Sequence, residues 1–157
     1  MSVGVRPAPR PLSSLGIAVA NAIARARSGL DWSYPCLIWV ADFVRDATGT
    51  DYASDWRGVE WTEATAKHAL TRLAAGGEGE TAVEKAVDNL ARAVGWEAAD
   101  GPRQGAVMIG VYRAEDGIGV PAIFDGESRW IVSNTGKGWR TLSTAPERMW
   151  EIPHAAA

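Results

Sequence analysis

SYPCLIWVADFVRDATG, residues 33–49, is the stretch from which the fold is read. Pro35 suits the first position of a helix, where a missing N–H costs nothing, and Gly49 supplies the stop. Between them Cys36, Val40, Phe43, Val44 and Ala47 recur at helical spacing and form a stripe to be buried. Asp42 and Arg45 fall on the other side of the helix. Such a helix needs an apolar surface to lie on, and its first turn carries the only cysteine of the chain.

Upstream, Ser13 or Ser14 caps a helix that ends at about Ser28 with Gly29 as its stop, and Leu15, Ile17, Ala18, Ala22 and Ile23 roughly share one face. Arg6 and Arg10 ahead of a short apolar run invite comparison with a signal peptide, but Asn21, Arg25 and Arg27 continue a helical pattern and favour an amphipathic helix. Residues 1–13, with Pro7, Pro9 and Pro11, read as an extended arm. Downstream, residues 50–61 form a loop holding Tyr52, Trp56 and the Arg57–Gly58 pair. A third helix runs from about Thr62 to Ala75 before Gly76 and Gly77. Thr81 and Glu84 make a capping box for a fourth, which reaches Val94 and stops at Gly95.

After Pro102 the texture changes. AVMIGVY, GVPAIFD, SRWIVSN, WRTL and RMWEI are short, rich in β-branched and aromatic residues, and separated by Gly or Asp. Helices first and antiparallel strands second make an α+β domain over residues 14–152, with 153–157 as a tail. The sheet is the surface the second helix needs.

The bulk properties are those of one globular domain: 157 residues, 46% hydrophobic, 22% charged. A net charge of −3 with scattered Arg and Lys gives no electrostatic case for nucleic acid. No stretch is long and apolar enough to span a bilayer. One cysteine excludes an internal disulfide, and one cysteine with two distant histidines, His68 and His154, lacks metal-site spacing. Gly136-Lys137-Gly138 is a hairpin tip without the rest of a phosphate-binding loop, and no cofactor is expected. Glu78 and Glu80 belong to a solvated turn. Asp51, Asp55 and Arg57 cluster around Trp56 and read as a carboxylate–guanidinium pair that holds the loop. Eight tryptophans exceed what a small interior needs, so at least two are expected at a protein–protein contact.

Cys36 is the catalytic candidate. A thiol attacks as its thiolate, and a helix N-terminus favours that charge. A base must also be held within hydrogen-bond reach. His68 lies inside the third helix and His154 in the tail, and neither is an obvious partner.

The unit SYPCLIWVADFVRDATG, then DWRG, a pair of helices and a sheet opening QGAVMIGVY, resembles the NlpC-type cell-wall peptidase superfamily, closest to a phage-encoded branch of small tail-region proteins. The resemblance covers roughly residues 14–152. It implies a papain-like fold with Cys36 as nucleophile on a helix that faces the sheet. The sequence departs from the family at three places: Pro35 stands where the family has Asp before the cysteine, Gly105-Ala106-Val107 where it has Gly-Asp-Val, and Val120 where it places the base histidine. Ser133 and Asn134 lie on the strand that would orient an imidazole. The resemblance therefore implies a tail-tip or baseplate component on a degenerate peptidase scaffold, in the virion tail and bound to a hub or distal tail protein. The alternative is an active cysteine peptidase that cleaves peptidoglycan stem peptides.

Overall fold

The computed structural model describes residues 14–31, 34–133 and 138–153. The proline arm, Trp32, Asn134 and His154 lie outside these residues.

Among the described residues four helices come first: α1 (Ser14–Ser28), α2 (Cys36–Thr48), α3 (Glu63–Ala74) and α4 (Ala82–Val94), with a 3₁₀ turn, Ser54–Trp56, between α2 and α3. Six strands follow among the described residues: β1 (Glu97–Ala99), β2 (Met108–Arg113), β3 (Gly119–Phe124), β4 (Trp130–Ser133), β5 (Trp139–Leu142) and β6 (Arg148–Glu151). They form one antiparallel sheet in the order β1-β6-β2-β3-β4-β5. The α+β order expected from the sequence is therefore present. β1 has no counterpart in that expectation: three residues directly after a helix stop carry too little alternation to read as a strand, and pairing with β6 makes them one.

The helix ends follow local chemistry. Gly49 and Gly95 adopt φ of 81° and 85°, and their N–H groups bond to the carbonyls of Arg45 and Ala91. Thr62 caps α3 through Thr65, and Thr81 caps α4 through Glu84. Pro35 sits one place earlier than expected. It is the extended residue before α2, and Cys36 is the first helical residue.

α1 and α2 pack on each other, as do α3 and α4, and both pairs lie on the sheet while barely touching across it. The α1–α2 contact is close because α1 buries only alanines, Ala18, Ala22 and Ala26. Trp39 of α2 fills the space above them and donates from Nε1 to the Ala22 carbonyl at 2.9 Å. Ile17, placed on the buried face by its spacing, is 44% exposed. Asp42, placed on the solvent side, is only 6% exposed. Trp39, Val40, Phe43, Val44 and Ala47 enclose a wider arc of α2 than the sequence stripe, and Asp42 lies within it.

Strand residues alternate between two faces. Ile109, Val111, Ile123, Ile131 and Trp150 join the helices in the main core. Met108, Ala122, Phe124, Trp130, Val132 and Met149 form a second apolar layer on the far face. Segments outside the strands close over that face: Pro146 lies against Gly110, and the Tyr112 hydroxyl donates to the Thr144 carbonyl.

α4 is tied to the sheet by charge as well as by packing. Glu84 is fully buried and accepts both arms of Arg113 from β2, with Nη2 to Oε1 at 2.8 Å and Nε to Oε2 at 3.0 Å. Asp88 meets Arg148 of β6 at 3.2 Å, and that guanidinium also lies 5.0 Å from the Trp150 ring centroid. Burial by itself would push the Glu84 carboxyl up. The bonds from Arg113 and Thr81 outweigh burial and hold it below the usual carboxylate range. A depressed carboxylate contributes stability that is complete above the unfolded value of about 4.3 and is lost as pH falls through the lower folded value. Glu84→Gln, which keeps the cap but not the charge, is therefore expected to be less stable than wild type at pH 7. The gap should shrink steadily below about pH 4. Urea unfolding across that pH range measures it.

Candidate functional site

The divergence of the two helix pairs leaves an apolar cavity of about 190 Å³ between them. Val40 and Val44 of α2, Ala69 of α3, Ala86 of α4, Trp96 and Ile109 form its buried floor and walls. Cys36, Leu37 and Ile38 of α2 and Ala66, Leu70 and Leu73 of α3 line its half-exposed rim. Trp56 and Trp61 stand at the opening with ring centroids 6.0 Å apart. No charged side chain lines the cavity among the described residues.

The loop that carries Trp56 is held from below. Arg57 binds Asp51 with both arms, at 2.7 and 3.1 Å, which is the pair read from the sequence; Asp55 takes no part in it. The same guanidinium reaches Asp42 Oδ1 at 2.7 Å. This is a close ion-pair contact. Asp42 also accepts from the Tyr34 hydroxyl and lies 3.5 Å from Arg45 and 4.0 Å from Arg25. Burial and the Asp42 bond push the Tyr34 hydroxyl well above its ordinary value. Only Asp51 and Arg57 of this network were legible beforehand. The signal for Asp42 was its position between Trp39 and Phe43.

Cys36 has the helix N-terminal placement expected of a nucleophile but not its electrostatics. Apolar surroundings push the thiol up to about 11, and the nearby backbone N–H groups of Cys36 and Leu37 only partly offset this. The macrodipole is a partial charge acting across a few ångströms, and the loss of water around the sulfur outweighs it.

The expected partners are dispersed. His68 is exposed on α3 and does not line the cavity, whereas Ala66, Ala69, Leu70 and Leu73 of the same helix do. Val120, where the sequence resemblance would put a base, packs against the far apolar layer of Ala122 and Phe124. The helix side of β3 is given by Ile123 and by Gly119, where a Cβ would meet Thr81 and Val83. A base at position 120 would thus look away from α2. Ser133 ends β4 opposite Trp139. Ala106 and Val107 precede β2 and are buried, Ala106 in the far layer and Val107 in the main core.

No family model, curated protein or solved structure matches the chain. No helix among the described residues is long and apolar enough to cross a membrane. Among these residues no group of three or more His, Cys, Asp or Glu side chains is placed to hold a metal ion. Of the tryptophans, Trp39, Trp96, Trp130 and Trp150 are buried, and Trp56, Trp61 and Trp139 are partly exposed.

Two outcomes follow from this geometry. Alkylation of Cys36 by iodoacetamide at pH 7.5 should be about ten- to a hundredfold slower than that of a free cysteine, and its rate should still be rising at pH 10, as a thiol with a raised pKa requires. Arg57→Ala should cost roughly 1–3 kcal/mol, because it removes a close cation from a buried carboxylate. Amide exchange should rise most over residues 50–61, which hydrogen-exchange mass spectrometry will show.

Proposed function

We propose that this protein is a non-catalytic assembly component of a phage or phage-like tail tip or baseplate, built on an NlpC-like scaffold and docked to a hub or distal tail protein. The observation that carries the non-catalytic half is the state of Cys36. Its thiol is pushed up to about 11 by its apolar surroundings, so the thiol rather than the thiolate is the form held at pH 7. No imidazole or carboxylate among the described residues lines its cavity to take the proton. General-base catalysis contributes about 10²–10⁴-fold, and members of a nucleophile–base set act as a unit, so one member alone recovers little. The tail assignment rests on the family resemblance of the Cys36–Gly49 segment, and it is supported by the α+β order of helices before an antiparallel sheet.

Wild-type protein and Cys36→Ala, incubated with purified peptidoglycan, are expected to release the same background level of peptides by mass spectrometry. Release that depends on Cys36 would establish the peptidase instead. Purified particles should contain the chain in a fixed ratio to the hub protein, and its absence from them would overturn the assembly reading.

A further inference from the structure

We infer that the cavity between the helix pairs is a binding site for a small aromatic or short acyl molecule that carries one carbonyl oxygen. This goes beyond the assembly role and does not depend on it: occupancy is read on the isolated chain, whatever particle the chain belongs to.

Three observations lead there. The first is size. An apolar cavity of about 150 Å³ stays dry and accepts benzene, so one of about 190 Å³ suits a six-membered ring with a short substituent, or an acyl chain of similar carbon number. The second is the lining. Valine, leucine, isoleucine, alanine and aromatic side chains supply dispersion contacts and no charge, so they select against ionised ligands, which would be stripped of water without compensation.

The third is a polar group left over. Trp96 is 7% exposed, lines the cavity, and has an Nε1 donor with no acceptor among the described residues. Trp39, equally part of the core, directs its Nε1 to a backbone carbonyl. A buried donor without a partner is costly, and a carbonyl oxygen brought in by a ligand would satisfy it. Nε1 is closed to water, and Tyr52 packs edge-on against the Trp96 ring at 5.0 Å between centroids. For a carbonyl to reach the indole N–H a covering side chain would have to move, and Tyr52, half-buried, in contact with the Trp96 ring and part of the cavity lining, is the candidate. Trp56 and Trp61, on the loop pinned by Arg57, would close over the ring.

The test compares two probes of matched size, acetophenone and ethylbenzene, titrated into the full chain and followed by NMR shifts and by melting temperature. Both should bind, acetophenone about fivefold more tightly, as one neutral hydrogen bond provides. Trp96→Phe should bind both equally. Ala69→Leu and Ala86→Val, which fill the cavity from two helices of the α3–α4 side, should fold, as judged by circular dichroism, and lose both probes. The proposal is overturned if neither probe binds wild type, if a folded cavity-filling variant binds as wild type does, or if the preference for acetophenone survives in Trp96→Phe.

Discussion

A buried carboxylate on α2 decides how the first helix pair and the segments flanking α2 are arranged. Asp42 stands among Trp39, Phe43 and Val44, where an isolated charge would cost several kcal/mol. It is tolerated because cations and a hydroxyl converge on it: Arg25 from α1, Arg45 from α2 itself, Arg57 from the following loop, and Tyr34 from the segment before the helix. Three of these partners arrive from outside α2, so satisfying one carboxylate ties three other segments to that helix. The loop of residues 50–61 is consequently drawn toward the α1–α2 pair, and Trp56 is carried to the opening of the cleft.

The α3–α4 pair is oriented by an analogous device. Glu84 and Asp88, one turn apart on α4, are held by Arg113 and Arg148 from neighbouring strands. Two helix pairs, each anchored to its own set of charges and each packed on one sheet, have no need to meet each other. The cavity is the space left by that arrangement. Its walls are apolar because they are the inward sides of amphipathic helices, and its sole cysteine sits in surroundings that suppress ionisation.

These features change what Cys36 signifies. A thiol in the first turn of a helix is an ordinary way to build a nucleophile, and residue order alone supports that reading. Whether the placement activates the thiol depends on water and on neighbours. In this fold Cys36 lines the same cavity as Leu37, Ile38 and the α3 leucines, the described histidine is exposed, and position 120 faces the opposite layer. Cys36 therefore behaves as part of an apolar wall.

Local chemistry in the sequence was enough to determine the class and order of elements. Gly49 and Gly95 end helices because a left-handed residue is needed there, Thr81 and Glu84 start one because their side chains satisfy free N–H groups, and the alternating runs after Pro102 become strands because one face of each is buried. All of these act over a few residues. What only the tertiary structure decided was which faces met. Asp42 is buried and Ile17 exposed against their spacing, β1 exists because β6 is beside it, and Val120 turns away from the helices because of the register of β3. The cavity, the network around Asp42 and the suppressed thiol of Cys36 all depend on groups far apart in the chain. Their energies come from desolvation and long-range charge pairing, which no window of sequence contains.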